Sequence, residues 1–418
     1  MKTIAIIGGG ITGVTTAYAL AKRGFDVTLF ERHRYAAMET SFANGGQLSA
    51  SNAEVWTHWS TILKGLKWML KSDAPLLVNP APTWHKLSWF AEFMASIPDY
   101  ERNTVETARM AVAARQHLFA WAAEEGIDFD HKREGILHIY RDKKGFDHAG
   151  KVSELLAKGG LPRRAVTPTE MKAIEPTLAG TYYGGYFTES DSTGDIHKFT
   201  NGLAAAAARL GVRTLYGQDV ATVQSNGTQA VITVAQEDAA PSVHTFDGVV
   251  VCAGVASRDF AAQLGDRVNI YPVKGYSITV NLNDAASQAG APNVSLLDDE
   301  TKLVTSRLGL DRFRVAGTAE FNGVNRDIRA DRIRPLIDWV EQCFPNINTR
   351  SVVPWAGLRP MMPNMMPRVG KGRAANVFYN TGHGHLGWTL SAVTADMLGN
   401  VVADTARAVQ VPAHLQTA

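Results

Sequence analysis

Only two cysteines, Cys252 and Cys343, occur in the 418-residue chain. Two distant thiols cannot build a disulfide framework or a zinc site, and each is expected to pack as a small apolar residue. Net charge is nearly absent: 42 basic against 40 acidic residues leave a formal +2. That balance lacks the basic excess of a dedicated nucleic-acid binder. No stretch approaches the roughly 18 uninterrupted apolar residues of a membrane span. The N-terminus, one lysine ahead of a short strand and a glycine loop, does not read as a signal peptide. A soluble cytoplasmic protein is the default expectation. Repeats and long low-complexity tracts are missing as well. The acidic loop 189–195 lacks the spacing and final bidentate glutamate of a calcium loop, so no metal is expected. What remains is a chain long enough for two domains and a sizeable core.

The first 31 residues are the most ordered in pattern. Lys2-Thr3-Ile4-Ala5-Ile6-Ile7 reads as a central parallel strand covered on both faces. Gly8-Gly9-Gly10-Ile11-Thr12-Gly13 follows and contains G-x-G-x-x-G as Gly8, Gly10 and Gly13. Residues 14–23 have helical spacing, and Asp26-Val27-Thr28-Leu29-Phe30 is a second strand ending at Glu31. Each part has a mechanical reason. Gly8 makes the tight turn, Gly10 admits a pyrophosphate, and Gly13 seats the helix close on the sheet. The helix N-terminus favours the anion. Glu31 is placed to accept hydrogen bonds from ribose hydroxyls and to disfavour a 2′-phosphate. The unit predicts an adenine-dinucleotide site, for FAD or NAD.

Beyond Glu31, the small polar run Thr40-Ser41-Phe42-Ala43-Asn44-Gly45-Gly46-Gln47 suits a backbone laid along a cofactor, with a surface turn as the alternative. Residues 54–100 hold five of the nine tryptophans, Trp56, Trp59, Trp68, Trp84 and Trp89, among Lys64, Lys67, Lys71 and Lys86. An amphipathic basic helix over 62–70 would suit a membrane surface or electron acceptor. The expectation is instead a covering segment whose tryptophans pack on the core. Helices are expected over 103–125, 145–158, from Thr167-Pro168-Thr169-Glu170 onward, over 197–210 and over 325–344. Strands are expected over 135–140, 182–187, 212–216, 221–224, 230–234, 246–251 and 271–280, with Asn226-Gly227 as a hairpin turn.

The last seventy residues carry a second strong signal. Arg359 stands alone in the apolar, Pro-punctuated run Pro354-Trp355-Ala356-Gly357-Leu358-Arg359-Pro360-Met361-Met362-Pro363-Asn364. A strand over 376–380 then meets the turn Thr381-Gly382-His383-Gly384-His385-Leu386-Gly387, and a helix is expected over 388–403. This is a second helix N-terminus offered to an anion. Two such turns without a nucleophile–base or metal cluster suggest redox chemistry carried by the cofactor. His383 and His385 are expected to shape the loop and bond the cofactor, catalysis being the lesser reading.

The chain resembles the FAD-dependent D-amino-acid dehydrogenase small-subunit family, within the glycine oxidase, sarcosine oxidase and D-amino-acid oxidase superfamily. The likeness runs nearly end to end. It rests on Thr40-Ser41-x-Ala43-Asn44-Gly45-Gly46-Gln47, Tyr271-Pro272-x-Lys274-Gly275-Tyr276-Ser277 and Gly357-Leu358-Arg359-Pro360-Met361. It rests equally on Asn380-Thr381-Gly382-His383-Gly384-x-Leu386-Gly387-Trp388-Thr389. The resemblance selects FAD over NAD. It implies oxidative deamination: the α-hydrogen of a D-amino acid leaves as hydride to flavin N5, and the imino acid hydrolyses to a 2-oxo acid and ammonia. Arg359 matches the carboxylate anchor, and Tyr276 is a second substrate candidate. The implied cofactor set also takes in Ile11, Thr12, Arg32, Ser41, Val220, Ala253, Gly254, His385 and Thr389. A quinone or other respiratory-chain acceptor is implied, as is a peripheral position on the inner membrane.

There are departures from the pattern. After Arg-Pro-Met the family commonly has Thr-Pro-Asp-Gly, where this chain has Met362-Pro363-Asn364-Met365. Methionines lining the pocket would favour bulkier, cyclic or N-methylated substrates such as hydroxyproline, proline or sarcosine-like amines. No cysteine lies near Arg359, so noncovalent FAD is expected. A flavin-binding electron-relay subunit is the alternative from another class. The expected architecture is α/β: a Rossmann-like FAD domain from 1–50, 195–270 and 350–418. Into it is inserted an α+β substrate domain of 51–194 and 271–349 on a mixed antiparallel sheet.

Overall fold

The strand β1 (Thr3–Ile7) lies at the centre of a six-stranded sheet, with Ile4, Ala5 and Ile6 fully buried. In the computed structural model, which describes residues 1–59, 61–62, 74–235 and 240–410, β1 is hydrogen-bonded on both sides. Helix α1 (Ile11–Ala21) crosses to β2 (Asp26–Glu31), which pairs in parallel with Ile4 opposite Val27. The strand order is Arg368–Lys371, Val377–Thr381, Gly248–Val251, β1, β2, Arg213–Tyr216. All neighbours are parallel except the Arg368–Lys371 edge. Parallel pairing brings the C-terminal ends of β1, β2, Gly248–Val251 and Val377–Thr381 to one edge, where open α/β sheets bind ligands.

One face of this sheet is covered by α1 and the helices Ile196–Arg209 and Gly387–Gln410, through Val14, Tyr18, Phe199, Leu203 and Leu398. The other packs on an antiparallel meander of Val220–Ser225, Ala230–Val234 and Ser242–Phe246. Asn226 Oδ1 closes its turn by accepting from the N–H groups of Thr228 and Gln229.

The second sheet has nine strands. Eight run in the order Val352–Met361, Tyr271–Asn281, Arg312–Phe321, Leu303–Leu308, Ser295–Asp298, Ile136–Tyr140, Gly184–Thr188, Arg164–Val166, and Leu76–Val78 pairs beside Arg312–Phe321. It is mixed and mainly antiparallel, as expected. The helix Ala330–Cys343 buries Leu336, Trp339 and Val340 against Ile278, Val280, Phe313 and Val315 on its outer face. The helix Pro168–Ile174 opens with the anticipated capping box, Thr167 with Glu170.

Sheet membership corrects two of the expected boundaries. Val352–Met361, assigned to the dinucleotide half, pairs along its whole length with Tyr271–Asn281, so Arg359 is carried by the second sheet. The helix Tyr100–Glu124, assigned to the inserted half, buries Leu118 and Trp121 in the core of the first sheet. Its alanine-rich face fits either neighbour by composition. Only the fold chose.

The tryptophan segment divides. Trp89 is buried, and Trp56 is half-buried, whereas Trp59 is 59% and Trp84 83% exposed, so packing on the core does not hold for those two. Lys64, Lys67 and Trp68 of the expected basic helix, and Lys71 just beyond it, lie outside the described residues.

Candidate active site

At the first turn the local sequence leaves little choice. Gly8 has φ of +108°, and a Cβ there would stand 2.6 Å from the Cys252 carbonyl oxygen. A Cβ on Gly13 would collide with the Gly8 carbonyl oxygen, so α1 sits on the turn itself. Gly13 is therefore a packing residue and does not line the cavity. Glu31 accepts from the N–H of Gly9 at 2.6 Å and of His33 at 2.8 Å. Besides facing the cavity, its buried carboxylate pegs the glycine turn to β2, a role that spacing alone does not suggest. The Ile11 N–H donates to Ser41 Oγ at 3.1 Å, tying α1 to the next segment. Arg32 is paired with Glu39, to which Arg326 of the second sheet's loop also donates at 3.1 Å.

Residues 40–47 run between the sheets and are stitched to the second one. Thr40 Oγ1 donates to the Leu358 carbonyl at 2.8 Å, Ser277 Oγ to that of Ala43 at 2.7 Å, and Arg314 Nη1 to that of Asn44 at 3.1 Å. Ser306 Oγ donates to the Gly45 carbonyl at 2.6 Å. A Cβ on Gly45 would lie 2.5 Å from Val304 Cγ2, so only glycine lets the chain pass there. Gln47 Nε2 donates to Ser295 Oγ at 2.7 Å and to the Leu296 carbonyl at 3.0 Å, while its Oε1 is buried without a partner.

The second glycine turn, Gly382 to Gly387, leads into the helix Gly387–Gln410 at the same edge. His383 Nε2 is bonded to Thr394 Oγ1 at 2.9 Å, and burial pushes its pKa down to about 3. His385 stacks on Trp56 with ring centroids 4.9 Å apart, and burial lowers its pKa to about 4. Both rings are neutral and weakly basic at neutral pH, consistent with shaping the loop rather than taking a proton. The other ring nitrogen of each, and the indole N–H of Trp388, are buried without partners.

Arg359 closes the far end. Its Nη1 donates to the Thr318 carbonyl at 2.7 Å. Burial lowers its pKa to about 10, and no carboxylate among the described residues pairs with it. The side chain crosses the neighbouring strand over Gly275, where a Cβ would lie 2.5 Å from Cζ and 2.7 Å from Nη1. On the same strand face, Trp355 lies over Gly357, so indole and guanidinium form adjacent walls of the cavity. A desolvated guanidinium without a counter-anion is a receptor for a carboxylate.

Tyr276 is among the residues lining the cavity, but its side chain is turned away from Arg359. Arg359 is in register with Val273, so Gly275 and Ser277 share its face and Tyr276 takes the opposite one. There its hydroxyl donates to Glu320 Oε2 at 2.9 Å, within a buried cluster with Lys274. Met361 and Met365 are buried in a core with Trp89, and Met362 packs against the core beneath the first sheet, so none of the three lines the cavity. These methionines therefore give no preference for bulkier or cyclic substrates.

One cavity of about 570 Å³ joins these parts, within the range of small-molecule sites. It is lined by Gly8, Gly10, Ile11, Thr12, Glu31, Arg32 and Ser41 at one end and by Asn44, Gly45, Gly46 and Gln47 along the middle. Val220, Ala253, Gly254, Gly382, His383, Gly384, His385, Leu386, Gly387, Trp388 and Thr389 complete its walls up to Arg359. Sequence reasoning missed Trp355, Thr318 and Trp56, together with Glu54, His148 and Lys302 at the rim. No motif marks them, because they arrive from separate strands and loops. The set fits an adenine dinucleotide carrying a flavin: a phosphate-sized approach at two helix N-termini, an acid at the end of β2, and unpartnered buried donors and acceptors on Gln47, His385 and Trp388. No group of acidic, histidine or cysteine side chains suited to a metal occurs among the described residues.

Comparison with known proteins agrees. Residues 3–401 match the FAD dependent oxidoreductase family. D-amino acid dehydrogenase 3 of Mesorhizobium japonicum is 64% identical over 403 residues, covering 96% of this chain and 97% of that one. The D-amino acid dehydrogenase of Paramagnetospirillum magneticum is 41% identical over 412 residues, covering 96% and 94%. Among solved structures, glycine oxidase of Geobacillus kaustophilus superposes with a TM-score of 0.73 at 20% identity, covering 99% and 96%.

Proposed function

The chain belongs to the FAD-dependent oxidoreductase family, and on that premise we propose that it oxidatively deaminates D-amino acids to 2-oxo acids and ammonia. The observation that carries this reading is the Arg359 guanidinium, desolvated at the cavity end and without a carboxylate partner among the described residues. The names of the relatives support the D series.

Bound FAD supplies the two-electron acceptor for the Cα–H bond. Arg359 holds the substrate carboxylate through its fork and so fixes which face of Cα is presented. Gly275 keeps the bed under the guanidinium flat, and Trp355 bounds the side-chain space. The positive charge of Arg359 and the dry wall favour the neutral amine, whose proton goes to solvent before Cα is oxidised. His383 and His385 are too weakly basic to be needed for it. Hydrolysis of the released imino acid requires no further side chain. The cofactor is held noncovalently. Cys252, the thiol near its pyrophosphate end, is buried with its pKa pushed up to about 12 and is inert.

For the acceptor, the reading is a quinone or other respiratory carrier at the inner membrane surface. It is supported by the exposed Trp84, Leu87 and Met94 on the helix Trp84–Ala95. No described helix is long and apolar enough to cross a membrane.

The test is anaerobic mixing of the purified protein with D- and L-amino acids while the oxidised flavin band is followed. Bleaching by D-isomers alone is expected, with slow recovery in air and fast recovery with a quinone. Arg359→Ala should stay yellow and lose bleaching. Bleaching by L-isomers, or an unaffected Arg359→Ala, would overturn the reading.

A further inference from the structure

The strand Arg312–Phe321 breaks register with Tyr271–Asn281 between Lys274 and Tyr276: Tyr276 faces Gly317 and Lys274 faces Glu320. Thr318 sits in that break with φ of +59°, a left-handed conformation that a β-branched residue enters only at a cost. The bulge turns its carbonyl onto Arg359 Nη1 at 2.7 Å. It also leaves the Thr318 hydroxyl buried without a partner, in a residue 7% exposed that lines the cavity. A buried hydroxyl without a partner is destabilising, and a bulge beside a site re-aims a side chain. Strain and unpaired hydroxyl fall on one residue, against the anchor. A substrate head group would give that hydroxyl its partner.

We propose that Thr318 is a substrate-binding residue: its carbonyl sets the angle of the Arg359 fork, and its hydroxyl donates a hydrogen bond to the carboxylate that Arg359 holds. The inference rests on reading Arg359 as the carboxylate anchor. It adds a third donor to the head-group site, specific for the carboxylate and indifferent to the substrate's side chain.

The experiment titrates the flavin-loaded protein with propionate, the carbon skeleton of alanine without its amine, and follows the visible flavin spectrum. Wild type is compared with Thr318→Ser, Thr318→Val, Thr318→Gly and Arg359→Ala. Valine keeps shape and β-branching without the hydroxyl, glycine relieves the strained φ, and serine restores the hydroxyl. Loss of a hydrogen bond to a charged group predicts about tenfold or more weaker propionate binding for both Thr318→Val and Thr318→Gly. Thr318→Ser should stay within about threefold of wild type, and flavin content should not change. The same two variants should raise KM for D-alanine more than they lower kcat. Wild-type affinity in Thr318→Val or Thr318→Gly, beside lost binding in Arg359→Ala, refutes the Thr318 assignment alone. So does a Thr318→Ser as weak as Thr318→Val. Wild-type affinity in Arg359→Ala instead removes the anchor, and this inference with it.

Discussion

Gly275→Ala is the most discriminating single change. It leaves charge, cofactor loops and the arginine itself in place. Gly275 does not need a left-handed backbone, so alanine is conformationally acceptable in the strand Tyr271–Asn281. Its Cβ, however, would stand 2.5 Å from Arg359 Cζ and 2.7 Å from Nη1, against the roughly 3.5–4.0 Å of an ordinary contact. The guanidinium is the free end of a flexible side chain, so it moves aside by about 1 Å rather than unfolding the sheet. A misplacement of that size in a positioning group costs about 10²-fold, or about 2.7 kcal/mol of transition-state stabilisation. The assay is anaerobic flavin bleaching by D-alanine in stopped flow, giving kcat/KM, with flavin content and melting temperature measured on the same sample. The expected variant is yellow, melts like wild type and has kcat/KM down by about two orders of magnitude. A kcat/KM within threefold of wild type would refute the claim that the glycine exists to seat the guanidinium.

Gly13→Ala puts a methyl into the Gly8 carbonyl oxygen, which is backbone and cannot swing away. The purified protein should be largely colourless, and full flavin occupancy by absorbance ratio would contradict this. His383 and His385 have pKa values near 3 and 4 in the fold against 6.5 unfolded. Between those limits the unfolded chain binds more protons, so stability falls as pH drops through 6.5 toward 4. Each ring should cost about 1.4 kcal/mol at pH 5.5. His383→Gln should flatten the acid limb of a urea-denaturation series by about that amount, and an unchanged limb would refute the buried neutral ring. Because neither ring titrates between pH 6 and 8 on this account, His383→Gln should leave the pH dependence of propionate affinity unchanged there; a break present in wild type and lost in His383→Gln would show that this ring does.

Much of the site was legible because its chemistry is local. Gly8 and Gly13 act within one strand–turn–helix–strand unit, so spacing reports their roles directly, whereas the bond from the Gly9 N–H to Glu31 does not follow from spacing. The same holds for the turn around Gly382 to Thr389, and for Arg359, conspicuous as a lone charge among prolines and apolar residues. Tyr276 was not legible, for a reason of parity. Whether it shares a face with Arg359 depends on the register of two strands about eighty residues apart, and a slip of one residue reverses the answer. Met362 and Met365 looked like pocket residues by adjacency to Arg359, but beyond the strand Val352–Met361 the chain packs Met362 on the core beneath the first sheet and Met365 in the core around Trp89.

The sequence by itself determined the dinucleotide unit, the mixed second sheet, the second glycine turn and the prominence of Arg359, since hydrophobic period, glycine spacing and an isolated charge act over short stretches. Tertiary structure alone decided which sheet carries Arg359, and that Gly275 lies beneath it and Thr318 beside it. It also assigned the helix Tyr100–Glu124 to the first sheet's core. Those facts are cross-strand and cross-sheet contacts. Register and packing set them, and no window along the chain contains both partners.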